Sequence, residues 1–139
     1  MPRQPGGDPV TPHEELRALG QRYARAADGR DVSALAELFH PDAEIVGSRG
    51  VQSRDEWLET MRAPRAFPTS MHLIGDPLIV LGDEADRATV DSYAVVYQLS
   101  DPGSGKGDLT LGIRYVDEAV THHGRWVIRR RNAQTLWMR

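Results

Sequence analysis

The stretch TSMHLIGD, residues 69–76, stands where the periodicity of the chain changes, and its reading decides the fold. Before it, apolar residues recur every three or four positions; after it they alternate. His72 falls inside this short apolar run, so an imidazole sits on the first long strand of the sheet that follows. Such a group is either a core histidine held by a hydrogen bond or one that faces a cavity and moves protons.

Upstream, TPHEELRALGQRYARAAD (residues 11–28) carries a capping-box pattern, with Thr11 as N-cap, Pro12 at the first helical position and Glu14 placed to reach back. Leu16, Leu19, Tyr23 and Ala26 make one apolar stripe, which predicts an amphipathic helix. Asp28, Gly29 and Arg30 break it, and Asp31 caps a second short helix whose Leu35, Leu38 and Phe39 face inward before Pro41 stops it. AEIV, residues 43–46, reads as a short strand. SRDEWLETMR, residues 53–62, reads as a third helix with Ser53 and Glu56 as a second capping box and Trp57 and Met61 as its apolar contacts.

Downstream, period-two alternation predicts strands over 70–81, 87–99, 107–119 and 125–137. The polar, Gly-containing connections GDEAD (82–86), DPGSGKG (101–107) and HHG (122–124) make consecutive strands antiparallel neighbours. Three helices followed by a meander define an α+β domain over residues 12–139, preceded by a flexible Pro- and Gly-rich tail over residues 1–11. The glycines at 103, 105 and 107 lie in a hairpin turn and open no helix, so they do not form a phosphate-binding loop.

Bulk properties narrow the function. A chain of 139 residues with 40% hydrophobic and 27% charged residues buries one core, and no apolar run is long enough for a membrane span. The net charge of −3 gives no general attraction to nucleic acid. The run Arg129–Arg131 reads as a solvated sheet face, since alternate strand residues point apart and no aromatic residues interleave it. Cysteine is absent, which fits a cytoplasmic protein and removes thiolate chemistry. His122 and His123 are adjacent in a turn and diverge, so no metal site is expected there; His13 and His40 belong to exposed helix ends.

Several segments together carry a family resemblance: Tyr23-Ala24 on the first helix, DGRDVSALAELFHPDAEI (28–45), MHLIGDPLI (71–79), RATVDSYAVV (87–96), IRYVDEA (113–119) and GRWVIRRR (124–131). In order and spacing they resemble the SnoaL-like branch of the nuclear transport factor 2-like (NTF2-like) superfamily. The resemblance implies a cone-shaped α+β fold, with three N-terminal helices on a strongly curved, mainly antiparallel sheet that encloses a deep apolar pocket. It also implies a dimer or other small oligomer. Within that superfamily His72 matches the catalytic H-x-x-G histidine of scytalone dehydratase, and Asp28 matches the aspartate that orients it. Ala27 and Gly47 stand where that enzyme has two water-positioning tyrosines, and Gln98 where it has a second catalytic histidine, so that particular dehydration is not expected.

The chemistry of the pair stands beside the resemblance. An imidazole titrates near neutrality, and a carboxylate on its other ring nitrogen fixes the tautomer and stabilises the cation. The expected function is a cofactor-independent general acid–base enzyme, a lyase or dehydratase, isomerase or polyketide-type cyclase, acting on a hydrophobic small molecule, with His72 and Asp28 as catalytic residues. If Gln98 points inward, Ser92, Ala94 and Val96 follow it, leaving Tyr93, Val95 and Tyr97 on an outer face that a second subunit of a homodimer covers. Tyr23, Phe39, Trp57, Met61 and Trp126 are further wall candidates beside Val96 and Gln98, and Arg114 or Arg130 a clamp for an anion or carbonyl. Two alternatives stand beside this reading. One is a non-catalytic ligand-binding or assembly module; the other is a small subunit of a ring-hydroxylating dioxygenase.

Overall fold

The computed structural model describes residues 9–139, so the expected tail falls outside the described residues over its first eight positions. Three helices, α1 (Pro12–Asp28), α2 (Val32–Leu38) and α3 (Arg54–Arg62), pack on a curved, unclosed sheet. Thr11 accepts the Glu14 N–H at 3.2 Å, but only this half of the expected capping box forms; at Ser53 and Glu56 both halves are present. Among the described residues no helix is long and apolar enough to cross a membrane.

The break after α1 falls at Asp28, Gly29 and Arg30 as expected. Gly29 keeps a right-handed backbone, and the left-handed position falls on Arg30, with φ 53°. A side chain there costs about 1–2 kcal/mol. The Arg30 guanidinium donates to the Phe67 carbonyl at 2.6 Å, which ties the turn to the loop after α3 and offsets that strain.

The strands are β1 (Phe39–Gly47), β2 (Gly50–Ser53), β3 (Thr69–Ile74), β4 (Leu78–Leu81), β5 (Arg87–Leu99), β6 (Leu109–His122) and β7 (Arg125–Met138). Their order is β2-β1-β7-β6-β5-β3, with β4 also on β5; β1 and β7 are parallel and the other pairs antiparallel. Three expectations change. The strand over 70–81 is two strands, because Pro77 lacks the N–H a continuous ladder needs; β3 and β4 both pair with β5. Phe39 opens β1 rather than closing α2, since Pro41 disfavours helical backbone at His40. The AEIV strand is longer than expected and forms a hairpin with β2, turning at Gly50, whose φ is 80°.

Register shifts between Phe39 and Glu44, Gly112 and Ile113, and Glu118 and Ala119 increase twist and bend the sheet round the helices. Leu16, Leu19 and Tyr23 of α1, Leu35 of α2, and Trp57 and Leu58 of α3 meet Val90, Ala94, Tyr115 and Ile128 of the sheet in one core. Each buried leucine, isoleucine or valine among them contributes about 1.5–3 kcal/mol. Gly20 admits Ile74 of β3 against α1, where an added Cβ would lie 3.3 Å from its methyl group. That close approach sets the end of α1 beside β3.

The arginine run is not uniformly solvated. Arg130 points outward to Glu44 at 3.3 Å, whereas Arg131 is 3% exposed and forms two 2.8 Å bonds to Asp117 inside the core. The strand alternation holds, but one of its two faces here is interior.

Candidate active site

Asp28 is the last residue of α1, and His72 lies in the middle of β3 opposite Val96. The helix end delivers the carboxylate to the inward side of the strand. Asp28 Oδ1 lies 2.6 Å from His72 Nδ1 and accepts the Ser70 hydroxyl at 2.9 Å; Oδ2 accepts the His72 backbone N–H at 2.9 Å. A carboxylate at a helix C-terminus is opposed by the helix dipole. These three partners hold it there.

Electrostatics fix the protonation states. Burial pushes the Asp28 carboxyl up, but the hydrogen bonds from the His72 backbone, the His72 ring and Ser70 outweigh it and leave its pKa below the ordinary value. Burial is also the largest influence on His72; with the nearby Arg131 and Arg65 charges it outweighs the Asp28 attraction and leaves the imidazole pKa below 6.5. At neutral pH the ring is uncharged. Its Nδ1–H donates to the carboxylate, so Nε2 keeps its lone pair. Among the described residues Nε2 has no protein partner, and it is open to the cavity that His72 lines.

That cavity has a volume of about 460 Å³ between α1, α3 and the concave face of the sheet. Of the sequence candidates, Tyr23, Trp57, Met61, Val96 and Gln98 line it with His72. Tyr23 stands edge-on to the imidazole, ring centres 5.6 Å apart, and Trp57 stacks beside Tyr23 at 6.5 Å. Gln98 pairs with Ser70 across β3 and β5, so its amide reaches the same hollow.

Three candidates and one alternative do not reach it. Phe39 lies behind Trp57, ring centres 4.9 Å apart, in the solid core. Arg114 is on the outer face in a bidentate pair with Asp91, at 3.0 and 2.6 Å, because its parity on β6 is opposite to that of Tyr115. Trp126 is buried beside a separate hollow near Leu19 and Leu38, and Arg130 is spent on Glu44.

Sequence reasoning missed Arg131. Its guanidinium lies 4.1 Å from the Tyr23 ring centre and 4.2 Å from that of Tyr115, with Asp117 on its edge. This cation holds Tyr23 from behind while Tyr23 holds His72. Parity alone puts Tyr115 and Asp117 on one face of β6; that Asp117 is the register partner of Arg131 is visible only in the paired strands.

The SnoaL-like domain profile matches residues 9–132. Among solved structures, a candidate scytalone dehydratase from Novosphingobium aromaticivorans DSM 12444 is 22% identical with a TM-score of 0.80, over 90% of this chain and 84% of that one. A type 2 hexachlorocyclohexane dehydrochlorinase (LinA) is 15% identical with a TM-score of 0.78, over 90% and 85%. Rv3472 of Mycobacterium tuberculosis, a protein of unknown function, is 24% identical with a TM-score of 0.74, over 87% and 69%. These likenesses establish the fold. No curated protein matches the chain.

Proposed function

The chain belongs to the SnoaL-like domain family, and from that premise we propose that it is a cofactor-independent general acid–base enzyme acting on a hydrophobic small molecule. His72 is the base and Asp28 its positioning partner. The observation that carries the reading is the unpartnered Nε2 of a neutral imidazole, open to a cavity walled by Tyr23, Trp57 and Val96. The dehydratase and dehydrochlorinase names among the structural neighbours agree with elimination or proton-transfer chemistry.

In the proposed step Nε2 removes a proton from carbon next to a carbonyl. The C–H electron pair moves into the adjoining bond, and either the carbonyl π pair shifts onto oxygen or a β-substituent leaves with the electron pair of its own bond to carbon. Gln98 donates its amide N–H to that oxygen. The imidazolium, stabilised by Asp28, returns the proton to oxygen, carbon or the leaving group. Dehydration, isomerisation and cyclisation all begin this way.

The test is deuterium uptake at the activated carbon of 2-tetralone in D₂O, followed by NMR. His72→Ala is expected to slow enzyme-dependent exchange by about 10²–10⁴ with an unchanged circular dichroism spectrum. A wild-type rate no greater than that of the variant removes the proposal. The same reading includes a homodimer in the cytoplasm; the dimer is supported by the outward, exposed Met71, Leu73, Tyr93 and Trp137. Sedimentation as a monomer at micromolar concentration would sink the dimer alone.

A further inference from the structure

The cavity has a charge asymmetry that proton transfer does not use. Arg49 and Arg65 line it, and among the described residues no aspartate or glutamate does. Arg65 follows α3 in the loop that returns to β3 and is half-buried. Its guanidinium contacts the Met61 sulfur at 3.2 Å, and among the described residues it has no carboxylate within ion-pair distance.

Two nearby groups do not relieve it. Asp28 is within electrostatic reach, but its oxygens already accept the Ser70 hydroxyl, the His72 backbone N–H and the His72 Nδ1–H. Arg30 adds a like charge, its own guanidinium turned to the Phe67 carbonyl. Burial and Arg30 together hold the Arg65 pKa below its ordinary value. An arginine stays charged in proteins, so its unmet donors call for an anion. Arg131 differs in charge balance, since Asp117 pairs with it through Nε and Nη2, although its buried Nη1 has no hydrogen-bond partner among the described residues.

Resting on the reading that this cavity is the functional site, we infer that its ligand is an apolar ring system bearing a carboxylate: Arg65 takes the carboxylate in a forked pair while the ring lies against Tyr23, Trp57 and Met61. The hydrophobic molecule expected from sequence becomes an amphiphilic one, oriented by its charge. The guanidinium fork suits the two oxygens of a carboxylate and sets which end of the molecule is presented to His72.

Calorimetric titration of the full chain with 2-naphthoate and 2-naphthamide tests this. The acid is expected to bind about tenfold tighter at low salt, with the preference shrinking as salt screens the half-buried pair. Arg65→Gln is expected to abolish the preference while leaving naphthamide affinity within about twofold, and Arg65→Lys to restore part of it. Equal affinities in the wild type, no binding of either probe at millimolar concentration, or a preference that survives Arg65→Gln or disappears only with Arg49→Gln would each overturn the inference. His72→Ala is expected to keep the carboxylate preference. A wild-type tetralone exchange rate no greater than that of His72→Ala, with that preference intact, would therefore condemn the enzymatic reading and not this one.

Discussion

Asp28→Asn isolates what the carboxylate does, because the substitution preserves shape and removes charge. The native group accepts three hydrogen bonds, at 2.6, 2.9 and 2.9 Å. An amide has one oxygen, which can serve Ser70 or the His72 backbone, and its NH₂ then faces Nδ1. The imidazole must answer with a lone pair at Nδ1, which moves its proton to Nε2 and leaves no base in the cavity. The expected loss in proton-transfer rate is about 10³–10⁴, or roughly 4–5.5 kcal/mol in the barrier.

Stability falls as well. Charge-assisted bonds become neutral ones of about half the strength, and with the Asp28 side chain 23% exposed the net cost is about 2 kcal/mol. Deuterium exchange of 2-tetralone measures the first effect, thermal melting the second and ¹⁵N shifts of the ring the tautomer. The pH profile adds a sign. Wild-type exchange is expected to rise with pH through a midpoint below 6.5 as His72 deprotonates. In Asp28→Asn the midpoint drops further, since the attraction that raised the imidazole pKa is gone. An exchange rate within threefold of wild type, with the proton still on Nδ1, would refute the reasoning.

Other perturbations follow from the same geometry. His72 is held neutral, so the unfolded chain takes up its proton first on acidification; stability from this group is complete above pH 6.5 and is lost as pH falls toward the lower folded value. Asp28 adds stability that is present above 3.8 and lost as pH falls through its depressed folded value, so the wild-type melting temperature should drop in two stages and that of Asp28→Asn should lack the second. Arg131→Gln leaves Asp117 buried without its cation and should cost about 3–5 kcal/mol in chemical denaturation; a loss below about 1 kcal/mol would contradict the enclosed pair. Gly112→Ala drives a Cβ into the Trp137 indole, so the ring must leave the sheet's outer face; an unaltered tryptophan emission spectrum would show that it does not lie there.

Alternation made much of this legible. Once Gln98 is set inward, the parity of β5 places Ser92, Ala94 and Val96 inside, and all three are buried. The wall from Tyr23, Trp57 and Met61 followed from helical stripes. Failures occurred where parity had no reference. Arg114 and Arg131 both sit on strands, but no neighbouring residue in the sequence said which face of β6 or β7 was interior. Arg131 is buried because its counter-ion comes from the next strand, a pairing that appears only once register is known. Phe39 is buried as expected, but it opens β1 instead of closing α2 and lies behind the cavity wall. Arg65 lies on a connection with no period at all, and its position depends on where α3 ends and β3 begins.

Asp28 binds main chain and ring with the same two oxygens, and so couples two kinds of fitness that could have been independent. A descendant that abandoned proton transfer could replace the imidazole at little structural expense, while Ser70 and the amide of residue 72 would still require an acceptor from the end of α1. Retired copies of this machinery should therefore keep the acid and shed the base.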